Sequence, residues 1–312
     1  MKKKKFIRII TRLDIKNGFL IKGINLEGLR VLGDPYNFSQ EYYKDGIDEI
    51  FYVDNVATLY GTNNLSKFIK KTATNLFVPL AVGGGIKCIK DAHRAFEHGA
   101  DKIAINSAAI LNPKFINDLV KIFGSANVCV SIETIKYDDK YFISRSNGRD
   151  IEKLNPFEWA KKMQDFGAGE ICLTSVNQEG LGRGFDLKLY EKVSNIISIP
   201  ILAHGGCGKY EDVQKVVKNS NISGVVLSSI LHYQYLHYVK LKKITLGTLG
   251  HKVSNFLYHI LNERTKSESL SWCFANIKRL KIFLVIFHAN QSNTEIYKEE
   301  IAKKLTEYSY KT

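Results

Sequence analysis

Short β-branched and aromatic runs alternate with longer stretches of helical apolar spacing through about residue 240. The runs are Phe6-Ile-Arg-Ile-Ile10, Glu49-Ile-Phe-Tyr-Val53, Val78-Pro-Leu-Ala-Val82, Lys102-Ile-Ala-Ile105, Val128-Cys-Val-Ser-Ile132, Glu170-Ile-Cys-Leu-Thr174, Ile199-Pro-Ile-Leu-Ala203 and Gly224-Val-Val-Leu-Ser228. They read as eight strands, and segments 65–75, 89–98, 113–123, 156–167 and 210–218 read as helices between them. Eight βα units predict an α/β fold closed into a (β/α)8 TIM barrel. Closure leaves no mark in a sequence, so an open doubly wound sheet is the alternative.

The two halves resemble each other. Asp14 and Glu133 each end a first strand, and Gly84 and Gly206 each sit in a Gly-Gly turn after a third. Leu80-Ala-Val-Gly-Gly84 echoes Leu202-Ala-His-Gly-Gly206, a period of about 120 residues that suggests two similar half-barrels. The character changes near residue 241. Residues 1–240 are therefore expected to form the barrel and 241–312 a C-terminal extension, with an apolar run at 282–287 and a helical pattern at 295–308.

The net charge of +14 comes mostly from lysines spread along the chain, without an Arg-rich stripe or nucleic-acid motif. That pattern fits a phosphorylated substrate better than nucleic acid. No apolar run approaches the ~18 residues of a membrane span, and the charged start is a poor signal peptide, so a cytoplasmic protein is expected. The five cysteines are scattered without metal-ligand spacing, and His232 and His237 are five apart, so neither metal nor cofactor is expected.

Barrel enzymes place their chemistry at the C-terminal ends of the strands. Asp14 after the first strand and Glu133 after the fifth would face each other across that mouth. Such a pair serves as general acid and base if its surroundings separate the two pKa values. Gly83-Gly-Gly85 and Gly205-Gly-Cys-Gly208 follow the third and seventh strands, where backbone N–H groups can approach an anion. With Asn106-Ser107 and Ser228-Ser229 nearby, they predict two phosphate sites on opposite sides of the mouth.

Leu13-Asp-Ile-Lys-Asn-Gly18, Ile21-Lys-Gly23, Gly33-Asp-Pro35, Val82-Gly-Gly-Gly-Ile86, Gly99-Ala-Asp-Lys102, Ile105-Asn-Ser-Ala108, Gly167-Ala-Gly-Glu170, Leu173-Thr-Ser175 and Gly205-Gly206 occur in this order. Together they resemble the cyclase subunit of imidazole glycerol phosphate synthase, from about residue 6 to 235. The resemblance implies that ammonia from a glutaminase subunit reacts with a bis-phosphorylated formimino-ribulosyl aminoimidazole carboxamide ribonucleotide. It implies catalytic roles for Asp14 and, at the second carboxylate position, Glu133. Phosphate contacts fall to Lys22, Gly85, Asn106, Ser107, Gly206 and Ser229, and substrate contacts to Asp54, Thr174 and Glu179. Arg8, Glu49, Lys102 and Glu170 match a salt-bridge gate over an ammonia passage, at the bottom of the barrel.

The sequence departs from the family at the reacting centre. Glu133 replaces an aspartate, Thr11-Arg12 replaces Pro-Cys, and Asn177-Gln-Glu-Gly180 replaces Asp-Arg-Asp-Gly. A carboxylate displaced by about 1 Å can lose roughly 100-fold in rate. His204 stands where the family carries a small residue and is not counted in the site. Two alternatives stay open: a paralogue amidating an acetamido nucleotide sugar for surface polysaccharide, and a weakened barrel that binds a glutaminase.

Overall fold

The computed structural model describes residues 6–55 and 66–244; the expectations for 282–287, 295–308 and Cys273 fall outside them. The chain divides into two units, Met1–Tyr233 and Gln234–Thr312. The first contains twelve described strands: β1 (Arg8–Lys16), β2 (Phe19–Ile24), β3 (Glu27–Gly33), β4 (Glu49–Asp54), β5 (Leu80–Gly83), β6 (Lys102–Ile105), β7 (Val128–Tyr137), β8 (Lys140–Arg145), β9 (Asp150–Glu152), β10 (Glu170–Ser175), β11 (Ile201–His204) and β12 (Gly224–Leu227).

Eight of these strands are parallel neighbours in the order β1, β4, β5, β6, β7, β10, β11, β12. The ring closes where Ile10 of β1 pairs with Val226 of β12. The sheet is thus a barrel, not an open sheet. One inward side chain from each barrel strand fills its middle: Ile10, Phe51, Ala81, Ala104, Cys129, Cys172, Leu202 and Val226. In such a barrel alternate strands contribute the side chains of each layer, and mixing large and small residues lets them fill a narrow lumen.

The helices follow local signals. Asp34 caps Pro35–Lys44 by accepting from the N–H groups of Tyr36 and Asn37 at 2.7 and 3.2 Å. Asn155 caps Pro156–Asp165 in the same manner, again with proline in the first turn. The expected helices appear as Ser66–Asn75, Ile89–Glu97, Lys114–Phe123, Pro156–Asp165 and Tyr210–Asn219. Helices Pro35–Lys44, Ser107–Leu111 and Leu187–Ser194 lie beyond those expectations.

The main difference lies in β1 and β7. Both run past the barrel rim, so Asp14 and Glu133 sit within strands rather than after them. The continuations fold back as antiparallel hairpins, β1–β2–β3 and β7–β8–β9. Their tight turns carry paired positive φ angles, at Asn17 and Gly18 (50° and 82°) and at Asp138 and Asp139 (44° and 63°). Such turns match the twist of a hairpin.

The half-barrel repeat is visible in hydrogen bonds. Asp91 accepts from the N–H groups of Lys87 and Cys88 at 3.1 and 3.2 Å. Asp212 does the same for Gly208 and Lys209 at 3.0 and 3.1 Å. Each aspartate tethers the loop after a glycine turn to the helix behind it. Gly84 (φ +92°) is matched by Gly205 (φ +100°), one residue away from the Gly206 equivalence expected from sequence. A Cβ would stand 2.2 Å from the Asp54 carbonyl oxygen at the first and 2.6 Å from that of Ser175 at the second. Only glycine fits either place.

Candidate active site

Alternate residues of β1 descend through the lumen: Asp14 at the mouth, Arg12 beneath it, Ile10 in the apolar layer and Arg8 at the bottom. Arg12 is buried, and its Nε donates to Asp14 Oδ1 at 2.9 Å. Lys22, from β2, lies 3.9 Å from Asp14 Oδ2 and forms an ion pair with Glu179. Glu179 Oε2 also accepts from the Leu26 N–H at 3.2 Å, fixing the first hairpin to the segment after β10.

These charges act on the carboxylates in opposite ways. Burial disfavours the charge of Asp14, but Arg12 and Lys22 outweigh it and hold this carboxyl below its ordinary range. Burial also disfavours the charge of Glu133 and there it prevails, pushing the group up to about 7 with help from Asp14. The attraction of Arg12, the Gly148 N–H at 3.0 Å and the Asn106 side chain pull only partly against it. Near neutrality Asp14 is a standing anion and Glu133 exchanges a proton, the division of labour an acid–base pair needs. Burial brings Lys22 down to about 8, against the pull of Asp14.

A cavity of about 230 Å³ opens on this centre. Its walls include Arg12, Glu133, Asp54, Gly85, Asn106 and Ser107. Five site residues expected from sequence, Asp54, Gly85, Asn106, Ser107 and Glu133, thus meet in one space. Lys22 instead sits between Asp14 and Glu179. Thr174 is held by His204, while Gly206 and Ser229 follow adjacent strands β11 and β12.

Two histidines support the floor. His232 Nε2 lies 3.1 Å from the Arg12 carbonyl and Nδ1 lies 2.7 Å from the Tyr42 hydroxyl. Burial and Lys22 bring its pKa down to about 3, so the neutral ring donates from Nε2 and accepts from Tyr42. Burial, then Arg12, pushes His204 well below its ordinary range. Ser228 donates to the Arg12 carbonyl at 3.1 Å and so can accept from His204 Nε2 at 3.4 Å, leaving His204 Nδ1 to accept from Thr174 at 3.0 Å. Both rings hold the backbone of Arg12 in place rather than titrating near neutrality.

At the opposite end of the lumen the four expected charges form a closed ring. Arg8 Nη1 lies 2.8 Å from Glu49 Oε2, and Arg8 also pairs with Glu170. Lys102 Nζ lies 3.0 Å from Glu49 Oε2 and 3.3 Å from Glu170 Oε2. Burial keeps Arg8 from full hydration, yet Glu170 and Glu49 raise its pKa further.

The second hairpin contributes residues that the sequence reading left out. Ser146 and Asn147 line the cavity, and Gly148 binds Glu133. Their signal was Asn147-Gly148, a hairpin dipeptide. Among the described residues no cluster of three potential metal ligands occurs, and no helix is long and apolar enough to cross a membrane.

Comparison with known proteins places these features in a family. Residues 8–237 match the model of the family described as histidine biosynthesis protein. The chain is 49% identical over 207 residues to imidazole glycerol phosphate synthase subunit HisF of Legionella pneumophila, covering 66% of this chain and 98% of that protein. The same-named subunit of Bacillus cereus (strain G9842) is 40% identical over 227 residues, 72% of this chain and 90% of its own. That of Clostridium botulinum (strain 657 / Type Ba4) is 40% identical over 237 residues, 75% and 94%.

Proposed function

We propose, from the premise that the chain belongs to the histidine biosynthesis protein family, that it is the cyclase subunit of an imidazole glycerol phosphate synthase. In this reading it uses ammonia to convert the bis-phosphorylated formimino-ribulosyl aminoimidazole carboxamide ribonucleotide to imidazole glycerol phosphate and aminoimidazole carboxamide ribotide. The carrying observation is the split pair at the mouth: Asp14 held ionised, Glu133 poised at about 7. Asp14 accepts protons from the attacking nitrogen, and protonated Glu133 supplies them to departing oxygen. Gly85, Asn106 and Ser107 would hold one phosphate and Gly206 and Ser229 the other, with Lys22 a further phosphate contact; Asp54, Thr174 and Glu179 would bound the space between. The test is product formation from that substrate with ammonium salt and purified chain. No imidazole glycerol phosphate at any ammonia concentration would refute the reading.

Ammonia would come from a glutaminase partner, in the cytoplasm. The ring of Arg8, Glu49, Lys102 and Glu170 supports a gate on the bottom face. Phe6, Phe77 and Ile196, in segments leading into β1, β5 and β11, are exposed on that same side and suit a docked subunit.

A second reading, ammonia-dependent amidation of an acetamido nucleotide sugar, draws support from the reacting centre. There Glu133, Arg12 and His204 depart together from the pattern expected of the cyclase. Turnover of the sugar instead of the ribonucleotide would decide for it.

A further inference from the structure

Arg12 is a buried cation, 1% exposed, on the wall of the cavity that also holds Glu133 and Asn106. Among the described residues its side chain makes one hydrogen bond, from Nε to Asp14. A guanidinium has five N–H donors, so the four on the terminal nitrogens have no acceptor among the described residues. These nitrogens are not sealed off within the protein: Arg12 lines the cavity, and the natural complement of a charged donor on its wall is an oxygen brought by a ligand. The backbone around it is unusually restrained: the Arg12 carbonyl receives both Ser228 and His232. Its place also matters. Arg12 is the first inward residue of β1 above the apolar layer, so ammonia travelling up the axis from the charged ring would emerge beside it.

We propose that Arg12 is a catalytic residue whose terminal nitrogens bind the oxygen of the substrate carbonyl that ammonia attacks. The proposal rests on the cyclase reading, in which the ribulosyl ketone is the electrophile. As the C–N bond forms, the carbonyl π pair moves onto oxygen beside the guanidinium. The nitrogen passes one proton to Asp14, and Glu133 gives one to the oxygen, leaving a carbinolamine with atoms and charge balanced. A fixed cation at developing negative charge is a strong source of rate enhancement, because it needs no reorganisation during the step. Arg12 also explains how Asp14 stays ionised within the same contact.

Two variants test this. Arg12→Lys keeps a charge beside Asp14 but loses the fork; Arg12→Gln keeps a donor without charge. With saturating ammonium salt, Arg12→Lys should lower kcat by about 100-fold, the scale of losing one oxyanion donor, while KM for the bis-phosphate stays within about threefold. Unchanged kcat would overturn the proposal, as would a loss confined to KM. A binding measurement that needs no turnover accompanies it. Calorimetry should find that wild type binds ribulose 1,5-bisphosphate more tightly than its alcohol, ribitol 1,5-bisphosphate, and that Arg12→Lys and Arg12→Gln lose this preference. Wild type that binds ketone and alcohol alike, or neither, overturns the proposal, as does a variant that keeps the preference. Absence of turnover with the ketone preference intact would sink the cyclase reading and leave Arg12 as the oxygen-binding group.

Discussion

Asp14 and Glu133 stand on β1 and β7, half a turn apart around the barrel, and the same burial leaves one ionised and the other titrating at about 7. The difference is made by Arg12 and Lys22, which lie against Asp14. Glu133 has a weaker share of the same positive charge and, among the described residues, one backbone donor, Gly148.

If these carboxylates are base and acid, Asp14→Asn and Glu133→Gln should each lower kcat by at least about 100-fold, the usual scale of proton-transfer catalysis. Steady-state assays at saturating ammonia check this, and near wild-type turnover would remove that residue from the mechanism. Glu133→Asp adds a finer test. A cyclase that tolerates the longer side chain should keep or gain activity on shortening, whereas a sugar amidase should lose its native reaction.

The position of Glu133 also gives a pH dependence. Its role as acid requires the protonated form, so kcat should decline as pH rises through about 7. The assay must hold free ammonia constant, since raising pH alone supplies more of it. Stability has the matching sign. A carboxyl whose folded pKa lies above its unfolded value near 4.5 contributes fully below that value and loses the contribution as pH rises through about 7. The loss is at most about 1.4 kcal/mol per pH unit over that window. Glu133→Gln should therefore melt higher than wild type at pH 8, with the advantage vanishing near pH 4. Calorimetric melting at both values decides; an equal offset at both would mean that Glu133 is not held neutral by the fold.

The eight barrel strands were legible because the runs are contiguous and their spacing leaves room for one helix each; closure itself shows only in the pairing of β1 with β12. The first carboxylate pair and the glycine turns were legible from the repeat, which the matched tethers of Asp91 and Asp212 express in bonds. The hairpins were less so. β1 reads past Asp14 through Lys16 without any turn residue, and the Asn17-Gly18 signal lay inside a motif already assigned to chemistry. The partners of Arg12 were not legible at all. Ser228, His232 and Tyr42 reach it across 216 and 220 positions of sequence or through another side chain, and only folding brings them together.

Phosphate binding should appear at both ends of the mouth. A crystal soaked in sulfate should hold one anion near Gly85, Asn106 and Ser107, where the cavity already opens, and one near Gly206 and Ser229. Occupation of neither would count against a bis-phosphate, and occupation of one would favour an asymmetric ligand such as a nucleotide sugar.

The charged ring gives the test of ammonia supply. Lys102 bridges Glu49 and Glu170, and Arg8 bridges the same two acids from the other side. None of the four reaches the mouth: the apolar layer from Ile10 to Val226 lies between. A change at Lys102 can therefore act on the reaction through what passes along the axis, what docks below or the stability of the barrel. Ammonia is mostly protonated at neutral pH, and an ammonium ion meeting Lys102 and Arg8 would be repelled, whereas delivery from a docked glutaminase raises the local concentration of the neutral form. Lys102→Ala should lower glutamine-dependent turnover by about tenfold or more, ~1.4 kcal/mol in barrier, while turnover driven by ammonium salt at the mouth stays near wild type. The variant also leaves Glu49, already raised by burial, with Arg8 as its remaining partner in the ring, so its melting temperature must be measured alongside. Equal loss in both assays, with or without a drop in melting temperature, would mean that the ring braces the barrel and that ammonia does not enter there.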